Sequence, residues 1–242
     1  MEVFWRTIGY YNASTWPWQI GIILVGIILT WWLYRDPGKG IRRAMKLYLA
    51  FLDGWIAVAY YLIACTERVY NQMLAVFWGV MALFWIYDLI VDYTPMERRP
   101  KYNNLSYFLY TMPFVYPLFS LLRGLHFPEI TSPVMPCSVA VFTIGLLLSF
   151  SKKVNIFIVL FLANWALIGF SKVYFYELPE DLLLASASVP ALYLFFREYI
   201  RDNLHKDTSA RARLKNLLLF IACIVIGVCF TCLLFHEWLK AS

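Results

Sequence analysis

The sequence predicts an all-α fold: a polytopic transmembrane helical bundle of about eight helices with both termini outside. Three observations predict it. Apolar runs recur along the chain and approach the ~20 residues needed to cross a ~30 Å hydrocarbon core. These runs are continuously apolar rather than alternating, which excludes a β-barrel. Of the 242 residues, 62% are hydrophobic and only 15% charged, whereas a soluble domain is near half apolar and a quarter charged. The chain therefore reads as one transmembrane domain over residues 1–242, with no soluble domain of useful size.

The elements follow in order. A polar-aromatic lead (1–15) precedes a first helix at about 16–34, opened by Trp16-Pro17-Trp18 and closed by Arg35-Asp36-Pro37-Gly38. Proline in a first turn and Pro-Gly after the end are ordinary helix punctuation. Further helices are expected at about 44–65, 72–92, 105–122, 134–150, 154–176, 179–199 and 214–238. The fourth is interrupted by Pro113 and Pro117, which free backbone carbonyls and kink a helix.

Charge supports this threading. The loops and helix ends after helices 1, 3, 5 and 7 hold sixteen basic residues: Arg35, Lys39, Arg42, Arg43 and Lys46; Arg98, Arg99 and Lys101; Lys152 and Lys153; Arg197, Arg201, Lys206, Arg211, Arg213 and Lys215. The opposite side holds five, Arg6, Arg68, Arg123, Lys172 and Lys240. The positive-inside rule then puts the basic loops in the cytoplasm and both termini on the non-cytoplasmic side. The net charge of +6 is thus a topology signal rather than a nucleic-acid patch. The first apolar run lacks the basic flank and small-residue cleavage site of a signal peptide.

Three separated stretches carry a family resemblance. They are Tyr11-Asn12 with Trp16-Pro17 and Gln19; His126 and Pro128 followed by Pro133, Pro136-Cys137 and the Phe142-Thr143-Ile144-Gly145 run; and Trp165 to Gly169 followed by Leu178-Pro179 and Asp181-Leu182. Over about residues 9–195 the chain resembles an uncharacterised family of bacterial multi-pass inner-membrane proteins, a domain of unknown function. It departs from the family pattern at Ser138, where a second proline would follow Cys137, and at Tyr61, where the pattern has histidine. The last helix looks like an addition beyond the shared part. The resemblance implies the architecture and a bacterial inner-membrane location, and implies no activity.

Two sets of residues are candidates for chemistry. The threading brings Asn12, His126, Cys137, Lys172 and Asp181 to one side, as a ring around an outward-facing pocket or, alternatively, as helix caps and interface anchors. Cys137 falls in the first turn of a helix opened by Pro136, near free backbone N–H groups that favour a thiolate or an anion. Asp53 and Asp88 are intramembrane charges, each a functional candidate because a carboxylate is costly at that depth. The structural alternative for Asp53 is a hydrogen bond to Tyr60, Tyr61, Asn155 or Asn164. For Asp88 it is an approach to Lys152 or to water near the interface. Asp92 reads as a solvated helix end.

No metal-ligand spacing, nucleophile elbow, phosphate loop or dinucleotide fingerprint occurs, so no cofactor is expected. The first expectation for function is transport or permeation of a small solute or ion. The alternatives are a structural or accessory subunit of a larger membrane complex, and a small membrane enzyme with an outer-face Cys/His site. Expected partners are the lipid bilayer and membrane proteins or further copies of the chain, not nucleic acid.

Overall fold

The computed structural model describes residues 2–176 and 181–204, the side chains of 170–176 and 201–204 excepted. The last expected helix, 214–238, lies outside the described residues. The described chain is helical throughout: α1 (Glu2–Arg35), α2 (Lys39–Trp55) running on into a π-helical segment (Ile56–Ala64), α3 (Asn71–Val91), a 3₁₀ turn (Pro100–Tyr102), α4 (Asn103–Leu122), α5 (Pro136–Phe150), α6 (Ile156–Tyr176), α7 (Asp181–Ser186) and α8 (Ser188–Leu204). Among the described residues, four stretches are long and apolar enough to cross a membrane: Glu2–Arg35, Lys39–Ala64, Asn71–Val91 and Pro100–Leu122. Pro136–Phe150 and Ile156–Gly169 are shorter apolar helices.

The core is built around α5. At 15 residues it is only about 22 Å long, yet every side chain from Ser138 to Phe150 except Phe142 is buried. It packs on α4, α6, α7 and α8, while α2 pairs with α3 and carries α1 on its other flank. Between helices in lipid the hydrophobic effect offers little, so association rests on close van der Waals packing at small residues. Gly145 shows this on α5: a Cβ there would stand 3.0 Å from the Leu109 Cβ of α4. A Cβ at Gly169 of α6 would stand 3.0 Å from the backbone nitrogen of Ala185. Aromatic rings fill the α3–α6 seam, with Phe77 on Phe161 (4.6 Å) and Trp78 edge-on to Trp165 (5.2 Å).

Gly26 sits where α1 crosses α2. A side chain there would overlap the Tyr48 hydroxyl, which donates to the Ile22 carbonyl at 2.9 Å. Gly26→Val is therefore expected to displace Tyr48 and lower stability by about 1–3 kcal/mol. Thermal unfolding of the purified protein measures it, and a variant as stable as the parent contradicts this packing.

Two expected boundaries move. The lead is not a separate polar segment: α1 begins at Glu2 and runs through Pro17. Pro17 cannot bond to the Ala13 carbonyl, but Tyr11 and Asn12 tie the preceding turns to the 128–134 loop and hold them helical. The expected helix 179–199 is two helices broken at Ala187. Pro190 is the cause, because its ring lacks an N–H and crowds the carbonyl four residues back. Residues 177–180 lie outside the described residues.

Candidate functional site

Polar groups line up along the buried face that α2 shows to α3. Lys46 and Asp53 are two helical turns apart on that face, about 10 Å along the axis. Lys46 is fully buried. Its Nζ contacts Asp88 Oδ2 at 2.9 Å, Asp92 Oδ1 at 2.7 Å and the Asp88 carbonyl at 3.3 Å. Asp88, also fully buried, accepts from the Thr94 hydroxyl (2.8 Å) and backbone N–H (3.1 Å). The Thr94 oxygen in turn accepts from the Asn155 N–H at 3.2 Å. The expected partner of Asp88, Lys152, instead meets Glu97 at 3.3 Å. The reason is geometric: Asp88, in the last turn of α3, and Asp92, just past its end, lie four residues apart, and Lys46 of α2 contacts both carboxylates. Lys46 is not a loop charge, as the charge distribution had placed it, although the basic excess on that side survives without it.

Asp92 is the exposed member of the triad and stands at a left-handed position, φ 52°. It is a mostly solvated helix end, as expected, but it is also bonded to Lys46. That hydrogen bond holds its carboxyl below the usual carboxylate range. A lowered folded-state pKa means the pair stabilises the protein above the ordinary carboxylate pKa of ~3.9 and loses that stabilisation as pH falls further. Melting curves below pH 4 should show a steeper decline for the parent than for Asp92→Asn.

Asp53 differs in kind. It is 2% exposed, and its Oδ2 has no hydrogen-bond partner among the described residues. The expected partners Tyr60, Tyr61 and Asn155 make no hydrogen bond to this oxygen. Trp85 of α3 turns its indole toward the carboxyl without closing a bond. Immediately beyond Asp53 the helix widens into its π segment, closed by the Cys65 N–H to Tyr60 carbonyl bond at 2.9 Å. A π turn inserts an extra residue and re-aims the side chains after it, a device frequent at functional sites. Here consecutive Tyr60 and Tyr61 are both buried, 4% and 2% exposed.

Past the π segment lies a second polar cluster. Arg68 is buried and binds the Thr7 hydroxyl through Nε (3.0 Å) and Nη2 (2.6 Å), and the Phe4 carbonyl through Nη2 (3.0 Å). Its guanidinium lies 4.5 Å from the Phe4 ring. Among the described residues no carboxylate pairs with it; neighbouring Glu67 is engaged by Arg6 at the surface. Tyr11 accepts from the Trp55 indole at 2.9 Å and donates to the Val134 carbonyl at 2.7 Å. Cys65, at the end of the π segment, and Cys137 lie near Tyr60 and Tyr61.

Of the residues expected in an outer ring, Asn12 is tied to the loop that carries His126. Asn12 is buried and its amide donates to the Pro128 and Ile130 carbonyls at 2.7 and 2.6 Å, which latches α1 to the loop carrying His126. Its Oδ1 accepts from Gln19 at 3.2 Å, so Asn12 works as a latch. His126 is exposed, Cys137 is half-buried in the first turn of α5 as expected, and Asp181 is buried at the start of α7. The Lys172 side chain lies outside the described residues. Reading the sequence missed the buried state of Lys46 and of Glu198, the latter 2.8 Å from Arg197. A signal for Lys46 was present: two carboxylates four residues apart on an apolar helix demand a cation nearby. Among the described residues no three His, Cys, Asp or Glu gather as a metal site.

Residues 1–206 match the model of DUF6064, a family of unknown function. The chain belongs to this family. The match ends before the last apolar run of the sequence. No curated protein and no solved structure matches the chain.

Proposed function

We propose that the protein is a membrane permeation or transport protein for a small ion, the simplest being the proton, with Asp53 as the group that binds and passes it. One observation carries this: a buried carboxyl with an unbonded oxygen, in the middle of a helix long enough to cross a membrane, next to a π segment. An intramembrane ionisable residue without a structural partner is a functional group by default. A proton needs only one carboxyl oxygen, whereas a dehydrated metal cation takes six or more oxygen ligands. Lys46 and Asp88 toward the basic end, and Tyr60 with Arg68 toward the other, would extend the polar track on both sides of Asp53.

The finer architecture belongs to the same proposal. Eight crossings, with both termini on the non-cytoplasmic side of a bacterial inner membrane, follow from the distribution of Lys and Arg. Contact of α1 with the 128–134 loop and with Arg68 supports it, because those segments share one end of the bundle. Proton flux into liposomes carrying a trapped pH dye tests the proposal: flux requiring the protein and lost in Asp53→Asn is the expected result.

A further inference from the structure

We propose that the groove between α1 and α4 is a binding site for an anionic phospholipid of the leaflet on the basic-loop side. The groove has a volume of about 350 Å³ and runs along α1 from Ile22 to Tyr34, about 18 Å. That is slightly more than half the ~30 Å hydrocarbon core, the reach of one leaflet's acyl chain. α1 packs on α2 and the π segment rather than on α4, so the groove stays open between them. Exposed Ile27, Trp31 and Phe114 mark its lateral mouth.

Two features say what occupies it. Thr30 and Tyr110 line the groove; Thr30 Oγ1 is buried and bonds to nothing among the described residues, and the buried Tyr110 hydroxyl sits beside Tyr34 and Ser149 without closing a bond. Buried hydroxyls left unpaired are costly, and a plain hydrocarbon chain would not satisfy them. An acyl ester presents a carbonyl oxygen that can. At the basic end, Arg35 lies over the Trp31 ring at 5.4 Å and Arg98 over the Tyr34 ring at 5.5 Å, and both of those rings line the groove. Both arginines are exposed, and among the described residues neither has a carboxylate partner. Two cations at the rim, two hydroxyls below them and an apolar channel beyond match a phosphate, an ester and a fatty chain in order. Arginine beside an interfacial aromatic is a familiar headgroup anchor.

The test titrates the purified full-length protein in neutral detergent with phosphatidylglycerol or phosphatidylcholine of the same chains, counting bound lipid by native mass spectrometry. Phosphatidylglycerol should bind about 30-fold more tightly, the effect of two interfacial arginines. Arg35→Gln/Arg98→Gln should abolish that preference while leaving phosphatidylcholine binding unchanged. Thr30→Val/Tyr110→Phe should weaken both lipids alike, and Arg123→Gln, at the other end of the bundle, should change nothing. Equal binding of the two lipids to the parent, or indifference to both double variants, overturns the site. Should a double variant not fold, the parent alone decides: at equal concentration phosphatidylglycerol should raise its melting midpoint more than phosphatidylcholine does, and equal shifts overturn the site.

Discussion

Asp53→Asn is expected to reduce protein-dependent proton flux to the level of empty liposomes while leaving the protein as stable as the parent or more so. The two halves of that result have separate physical origins. Asparagine has nearly the shape of aspartate and can still face the Trp85 indole, but it cannot take up or release a proton. A charged Asp at the centre of a membrane helix costs ~2.5–3.5 kcal/mol on insertion scales, and the amide removes that cost. A carboxyl kept for packing would behave in the opposite way, losing stability with no effect on flux. Flux that survives in Asp53→Asn would remove the central residue from the proposed path.

The largest effect on stability is expected at Lys46. Lys46→Met leaves the Asp88 carboxylate fully buried with only Thr94 to satisfy it, and stripping one partner from a buried ion pair costs about 3–5 kcal/mol. Asp88→Asn should cost less. Lys46 keeps Asp92 as a partner at 2.7 Å, and asparagine retains an acceptor for the Thr94 N–H and hydroxyl. Losing one charge-assisted bond amounts to about 1.5–3 kcal/mol. The double variant Lys46→Met/Asp88→Asn should recover most of the loss seen in Lys46→Met, because no buried charge then remains unpaired and Asp92, which loses Lys46, is exposed to water. Denaturation of the three proteins in the same detergent measures this order. Equal losses in the two single variants would mean that the ion pair does not control the seam between α2 and α3.

Much of the architecture was legible from residue order because bilayer thickness converts an apolar run into a helix length. The helices at 72–92, 105–122, 134–150 and 154–176 lie within a few residues of α3, α4, α5 and α6. Pro136 marked the start of α5 because a missing N–H does no harm there. The proline rule misled at Pro17, which lies inside α1, since the bonds that hold the turns before it come from residues more than a hundred positions away. It was underused at Pro190, where the same ring chemistry breaks α7 from α8. The candidate site was legible as residue types in the case of Asp53 and Asp88. Their opposite circumstances were not, because pairing depends on which side chains a neighbouring helix brings to the same depth.

Composition and the spacing of apolar runs were enough to determine a helical chain with segments apolar enough to cross a membrane, because hydrocarbon tolerates only backbones whose N–H and C=O groups are satisfied internally. Only the tertiary structure decided that Lys46 is buried against Asp88, that Asp53 keeps an unbonded oxygen, and that Thr30 and Tyr110 face one groove. The reason is that a local pattern sets whether a segment is a helix. The rotation and depth at which two helices meet come from side-chain interlocking at positions such as Gly26 and Gly145, and that fit exists only between segments far apart in the chain.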